Sequence, residues 1–489
     1  PLLLSSFVSN NNFSFKITKA NADNFWKKSN SSKEDESLNN FYWLNLINRK
    51  NDGLTIQKII TLWISNNEKY QKKVWKNSVT SKRIISWILN ADVILNNTNV
   101  YFKERFFQSI LIQVNHLKNN LNYENNPVNK IEIITAILLS GLVFKEYNNN
   151  FELGIKELKK TVEVFFDENG CTINRNISDL IYFSKFLILI KECCEDAQEY
   201  IPDYLDEIIE KIIICLHSIK TPNNKNPLFN GAFETNMEKY FNYLSGLNYN
   251  TKIFKNKIGE IFIFKNKKVS LFFDVGPPPK KKFSNNYQSG PLSFEYYVDN
   301  QKIITNCGFG KKISKKTELI SRLTSAQSTL CINDTSAVKF ERNSLLRKIF
   351  GVAIKSSFKT YDFHLNDEKD FLSVSASHDA YQDNFGYIHS RLIKIDKKGG
   401  NLLGLDKLVF KKSINSEKRY DLRFHLYPEL IPVQTIGGNS ILISIGKNKS
   451  LIFKTKEGNL LLEKSVFLGR NKIINNFCIT ISGVLKKNE

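Results

Sequence analysis

Histidine is scarce in this chain, six in 489 residues, and none stands at zinc-finger spacing. Seven cysteines, at 171, 193, 194, 215, 307, 331 and 478, form an odd set without a CxxC pair and sit mostly in apolar runs, where a free thiol packs as a small hydrophobe. A structural zinc and a disulfide framework are therefore not expected, and no metal or cofactor is assigned. No stretch reaches the roughly 18 uninterrupted apolar residues of a membrane span, so no integral span is expected. The opening PLLLSSFVSN carries no Met, and its apolar run is too short and lacks the basic flank of a signal peptide, although it could be the remnant of a longer start. No fixed-period repeat argues for a named solenoid. No helix-turn-helix, RRM or zinc signature supports a nucleic-acid partner.

What is plentiful is positive charge. Lys and Arg number 70 against 48 Asp and Glu, a formal charge of +22. Such an excess attracts polyanions over about a Debye length, and nucleic acid, anionic polysaccharide and anionic lipid all qualify. Abundant Asn, Ile and Lys with little Ala fit equally well with coding sequence that has drifted toward A and T. The length suggests two domains, and 42% apolar with 24% charged residues is a normal globular balance.

The hydrophobic period changes along the chain. From about 38 to 246 it is helical: Leu205, Ile208, Ile209, Ile212 and Leu216 share a stripe behind Pro202 and Asp203, which suit a helix start. Similar stripes run through LTIQKIITLWISN, SKRIISWILNADVIL, YFKERFFQSILIQVNHL, KIEIITAILLSGLVF, FELGIKELKKTVEVFF and SDLIYFSKFLILIKE, with short Asn-rich or Gly-containing breaks between them. Short breaks make antiparallel hairpins, and hairpins with one apolar face must curl or stack to bury it.

After about 256 the period is two. GEIFIFKNKKVSLFFDV predicts two strands, LSFEYYVDNQKIITNCG two more around Asp299 and Asn300, and further turns are expected at Gly446 to Asn448 and Glu457 to Asn459. The expected class is α+β multidomain, an N-terminal (α/α) toroid of helical hairpins followed by a C-terminal antiparallel β-sandwich. Its expected divisions are an N-terminal extension at 1–37, the toroid at 38–250 and the sandwich at 256–489. The 275–290 loop, VGPPPKKKFSNNYQSG, has three lysines that either track an anionic ligand or solvate a loop.

Several segments occur in a recognisable order: INRNISDL, PLFNGAFE, FFDVGPPP, SGPLSFEYYVDNQKIITNCG, SRLTSAQSTLCINDTSA, SHDAYQDNFGYIHSRLI and DLRFHLYPEL. Together they resemble the heparinase II/III group of polysaccharide lyases over about residues 38 to 483. Three positions depart from the family pattern, which has His where this chain has Gln288, Gln327 and Tyr427.

The resemblance implies an acidic polysaccharide as partner and β-elimination of a uronic-acid glycan. A base removes the C5 proton beside the carboxylate, and the glycosidic oxygen leaving C4 is protonated. The carboxylate then needs hydrogen-bond donors, and Tyr or His suits the proton transfers. Asn176, with Arg175, is the candidate for carboxylate neutralisation; alternatively Asn176 only helps Ser178 cap the helix that follows. Asn230 and Glu234 are candidate substrate contacts, and Tyr240 a candidate catalytic group. In a regular strand His378 and Ala380 share one face while Asp379 and Tyr381 share the other, so His378 and Tyr381 meet only if a turn intervenes. Both are nonetheless candidate catalytic residues, with His389 beside them, and Arg391 and His425 are candidate substrate contacts. Gln288 and Gln327, also placed at the substrate, cannot titrate.

Two functions follow from these residues: a lyase, or an acidic-glycan-binding or envelope-glycan assembly protein that kept the fold and lost turnover. The family resemblance implies a cell-envelope or periplasmic location, whereas free cysteines and the missing signal favour the cytoplasm.

Overall fold

A computed structural model describes residues 25–27, 32–47, 53–343, 351–411, 417–446 and 449–485. PLLLSSFVSN, and Lys447 and Asn448 of the expected turn, lie outside the described residues. The chain forms two compact units, one of residues 1–165 and 182–210, the other of residues 166–181 and 211–489.

The first unit is helical. It contains α1 (Ser32–Asn39), α2 (Gly53–Asn66), α3 (Asn77–Leu89), α4 (Val100–Asn120), α5 (Pro127–Val143) and α6 (Asn148–Phe165). The helices α7 (Ile177–Asp196) and α8 (Asp203–Ile219) contribute residues to both units. Helix α5 starts with Pro127 behind the Asn126 cap and is buried without a break from Ile131 to Gly141, the pattern of a central helix. Helix α6 lies so close to it that a Cβ on Gly154 would stand 2.7 Å from Leu138 Cβ. SKRIISWILNADVIL, expected as one stripe, breaks at Asn90, whose amide donates to the Ser86 carbonyl at 2.8 Å and ends α3. Among the described residues no helix is long and apolar enough to cross a membrane.

The second unit contains α9 (Glu238–Gly246), α10 (Lys315–Ser321) and antiparallel strands. In chain order these are β1 (Lys257–Ile258), β2 (Ile261–Lys265), β3 (Val269–Asp274), β4 (Phe294–Val298), β5 (Gln301–Thr305), β6 (Leu330–Ile332), β7 (Thr360–Asp367) and β8 (Phe371–His378). There follow β9 (Tyr387–Asp396), β10 (Leu402–Phe410), β11 (Lys418–Leu426), β12 (Ile431–Gln434), β13 (Ser440–Ser444), β14 (Ser450–Lys454), β15 (Asn459–Phe467) and β16 (Ile474–Leu485). A nine-stranded sheet runs β1-β2-β3-β4-β5-β11-β16-β15, with β6 paired to β11; a four-stranded sheet runs β10-β9-β8-β7 and a three-stranded one β12-β13-β14. Alternate residues of these strands, among them Leu271, Phe273, Tyr296, Val374, Ile393, Ile441 and Ile479, share one apolar core. The α+β class expected from the change of period is the class observed: helical hairpins first, antiparallel sheets after.

Candidate functional site

The loop before α7 is built from its own side chains. Asp167 accepts the Asn169 and Cys171 amides at 2.9 and 2.8 Å, and Asn174 Oδ1 accepts the Asn176 amide at 3.0 Å. Arg175 takes a left-handed φ of 60°. Its guanidinium donates to the Gly259 and Pro277 carbonyls, each at 2.7 Å, and pairs with buried Asp274. Those donors brace the loop from which Arg175 is expected to contact substrate.

Asn176 itself caps α7. Its Oδ1 accepts the amides of Ser178 at 2.9 Å and Asp179 at 3.4 Å, while Ser178, expected to cap, instead takes the Phe233 amide on its Oγ at 2.9 Å. Asn176 is 1% exposed, and its Nδ2 has no hydrogen-bond partner among the described residues.

That amide faces the PLFNGAFE loop. Gly231 has a φ of 90°, and a Cβ there would stand 2.6 Å from Asn286 Cβ and 3.2 Å from Asn176 Nδ2, so glycine is required. Asn230 donates to the Arg175 carbonyl at 3.4 Å. The Gly231 amide donates to Gln288 Oε1 at 2.9 Å. Gln288 Nε2 then donates to the Gly308 and Ser321 carbonyls at 3.0 and 2.7 Å, and Gln327 Nε2 reaches the same Ser321 carbonyl at 2.9 Å. The two glutamines at histidine positions thus meet on one acceptor, and a chain of hydrogen bonds and contacts joins them to Asn176.

Two side chains near this cluster carry no expectation from the sequence. Asp179, one turn into α7, accepts Asn174 Nδ2 at 2.6 Å on Oδ2, and burial pushes its carboxyl up to about 6 although Asn174 and Lys311 pull it down. Lys311 donates to Asn286 Oδ1 at 3.1 Å. Asp179 lies within INRNISDL itself, but its partner Lys311 is too distant in sequence for any spacing to reveal.

Glu234 is locked instead of open. Lys225 Nζ donates to its Oε1 at 2.7 Å, Arg470 Nε to the same oxygen at 2.8 Å, and Tyr427 Oη to Oε2 at 2.6 Å. Burial pushes the Glu234 carboxyl up, but these partners and Lys302 outweigh it and hold it at about 2. The expected substrate contact thus sits at the centre of an ion cluster, with Tyr427, at the third departure from the family pattern, as one of its arms. Tyr240 is buried on α9.

His378 and Tyr381 do come together, with ring centroids 5.7 Å apart. Strand β8 ends at His378, and a one-turn helix at Gln382–Phe385 follows, so strand alternation stops before Tyr381. Both are fully buried. The Ala380 amide donates to His378 Nδ1 at 3.2 Å, leaving the proton on Nε2, which donates to His389 Nδ1 at 3.0 Å. His389 Nε2 must then donate to Asp406 Oδ1, 2.6 Å away, and Arg391 Nε donates to that oxygen at 2.7 Å. Both rings are neutral in this chain of bonds, as burial, which lowers the basicity of each, requires. Tyr381 Oη donates to the Leu330 carbonyl at 3.0 Å, and Arg391 Nη1 to the Leu292 and Ser328 carbonyls at 2.6 and 3.0 Å. His425 bonds the Ser325 carbonyl through Nε2 at 3.0 Å and Ser465 Oγ through Nδ1 at 3.1 Å, and burial lowers it to about 4. The side chains expected to act in catalysis, His378, His389 and Tyr381, and those expected to contact substrate, Arg391 and His425, thus form polar seams inside the sandwich.

Among the described residues no group of three His, Cys, Asp or Glu side chains could hold a metal ion. A groove of about 630 Å³ lies elsewhere in the second unit, lined by Phe254, Lys257, Phe262, Lys265 and Leu365, and contains none of the expected site residues.

Residues 252–486 match the family described as heparinase II/III-like, C-terminal. Among solved structures the chain is similar to a mutant of heparan sulfate lyase HepC from Pedobacter heparinus, with a TM-score of 0.70 and 14% identity over 94% of this chain and 76% of that one. It is also similar to a heparinase III gene product, with a TM-score of 0.70 and 14% identity over 99% and 86% of the two chains. A further heparinase III matches with a TM-score of 0.65 and 16% identity over 89% and 72%. These likenesses are of fold. No curated protein matches the chain.

Proposed function

We propose, for a chain that belongs to the heparinase II/III family through its C-terminal domain, a polysaccharide lyase-like function: cleavage of an acidic, uronic-acid-containing glycan by β-elimination at the Asn176 cluster. The observation that carries it is Asn176 Nδ2, a donor with no hydrogen-bond partner among the described residues, on a side chain held in place beside the Gly231 loop. Removing a proton from C5 places negative charge on the neighbouring carboxylate, and a fixed amide donor stabilises that charge without reorganising. One such donor is worth on the order of 10² to 10³ in rate. Lys311, bonded to Asn286 across the loop, adds positive charge where an anionic sugar would lie.

The second reading, a glycan-binding or assembly protein on the same fold, is favoured by Gln288 and Gln327. Neither can carry a proton, and both are spent on the Ser321 carbonyl. For either function the family favours a cell-envelope or periplasmic setting, and the division proposed is an extension at 1–37, a toroid at 38–250 and a sandwich at 256–489, of which the family model covers the sandwich at 252–486.

The test is incubation of the protein, and of Asn176→Ala, with heparan sulfate, alginate and other uronate polymers while the ultraviolet absorbance of the unsaturated product is followed. Product that forms with the parent chain and vanishes in the variant is expected. Silence on every polymer, with glycan binding retained, would establish the binder instead.

A further inference from the structure

An elimination at Asn176 needs a proton carrier, and most of the histidine, tyrosine and carboxylate candidates named above are engaged elsewhere. His378, His389 and His425 have both ring nitrogens bonded, and Tyr381 and Tyr427 have committed hydroxyls. Glu234 is held by Lys225 and Arg470. Asp179 is different in three respects. The residue keeps some exposed surface although its carboxyl is set deep enough to be desolvated, and one of its oxygens, Oδ2, is bonded to Asn174 while Oδ1 has no hydrogen-bond partner among the described residues. It also stands one turn from the unpartnered amide.

The surroundings form a closed ring. Asn174 donates to Asp179, Lys311 faces Asp179 and donates to Asn286, Asn286 packs against Gly231, Gly231 packs against Asn176 Nδ2, and Asn176 Oδ1 accepts the Asp179 amide. An anionic sugar whose carboxylate takes the Asn176 amide would have its ring beside this carboxylate. Resting on the lyase reading above, we infer that Asp179 is the catalytic residue that takes the C5 proton of the uronate and returns it to the departing oxygen. The C5–H electron pair becomes the C4=C5 double bond, and the C4–O bond breaks with its pair on oxygen. That oxygen then receives the proton held by Asp179, so the carboxylate ends as it began. One group can do both steps only where the C5 hydrogen and the C4 oxygen lie on the same face of the sugar, which selects uronates of that configuration. Burial, by holding the carboxyl near 6, makes it a stronger base than an ordinary aspartate and still ionised at neutral pH.

The experiment compares the full chain with Asp179→Asn and Asp179→Glu on a polymer that the chain cleaves, from pH 5 to 8, with thermal melts of each protein. For the parent chain kcat/KM should rise tenfold per pH unit below about 6 and level off above it. Asp179→Asn should lose on the order of 10²-fold or more in kcat with KM within a few-fold, and Asp179→Glu should recover part of the rate with a displaced acidic limb. If Asp179 merely held Asn174 in place, the asparagine, which still offers an acceptor oxygen, would be nearly as active. Asp179→Asn within threefold of the parent chain, or Asp179→Glu with an undisplaced limb, overturns the assignment and leaves the lyase reading standing. A parent chain that cleaves no uronate polymer overturns both.

Discussion

Asn176 does two things with two atoms, and substitutions can separate them. Its Oδ1 caps α7, a contribution of about 0.5 to 2 kcal/mol, while its Nδ2 has no partner among the described residues and is the donor that the proposed elimination would use. Asn176→Ala should therefore lose both stability and activity. Asn176→Asp keeps an excellent cap and replaces the donor by a negative charge, so it should melt within about 2 °C of the parent chain while kcat/KM falls on the order of 10²-fold or more. Equal thermal losses in the two variants would show that the cap is not made by this side chain. The buried histidines make a prediction of their own. His378, His389 and His425 are held neutral by burial, whereas the unfolded chain protonates them below about 6.5. Their folded values are depressed, so the unfolded state binds more protons in acid. The associated stability is complete above about pH 6.5 and is lost as the pH falls toward the folded value, about 4 for His425. Melting temperature should drop steadily from pH 6.5 to 4.5, and His425→Gln should flatten that slope; parallel slopes would remove His425 from the explanation.

At the level of elements, strands were the legible part. β4 and β5 lie where alternation and the Asp299-Asn300 pair place them, and both turn residues have the positive φ, 48° and 65°, that such a hairpin needs. Helix α8 begins at Asp203, behind Pro202, as the start signal requires. What sequence patterns miss is where an element stops. Asn90 ends α3 by a side-chain bond to its own helix, and the stop of β8 at His378 brings two side chains together that alternation would separate. Buried polar partners are equally silent in sequence: Lys302 and Glu295, both 0% exposed and 2.8 Å apart, read as ordinary strand residues. In the candidate site, Asn176, Asn230, Gln288 and Gln327 were legible through motifs, but Asp179 and Lys311 emerge only from folding. Gly231 is the element-level test of that assembly. Gly231→Ala forces a Cβ onto Asn286 at a positive φ, which should cost at least about 1 to 2 kcal/mol. It should also lower any glycan cleavage by displacing the amide bonded to Gln288; a variant as stable and active as its parent would mean the loop is looser than its contacts imply.

Across the whole molecule the question is whether a charge of +22 serves the site or only reflects drift in composition. Drift scatters lysines without regard to function, whereas a glycan site needs them where the polymer lies. Lys311 stands at the ring around Asn176 with Lys312 next in the chain, and Lys280 to Lys282 lie on the loop that leads to Asn286. Lys454 and Lys456, at the end of β14, are exposed and offer a charge-matched control. Removing either pair lowers the total charge equally, so long-range attraction falls by a similar amount. Lys311→Gln with Lys312→Gln should weaken binding of a uronate polymer several-fold at low salt and reduce the dependence of affinity on salt concentration, because contacts within a Debye length are lost. Lys454→Gln with Lys456→Gln should leave both nearly unchanged. Equal weakening by the two pairs would assign the attraction to net charge alone, and the basic composition would then say nothing about where the glycan binds.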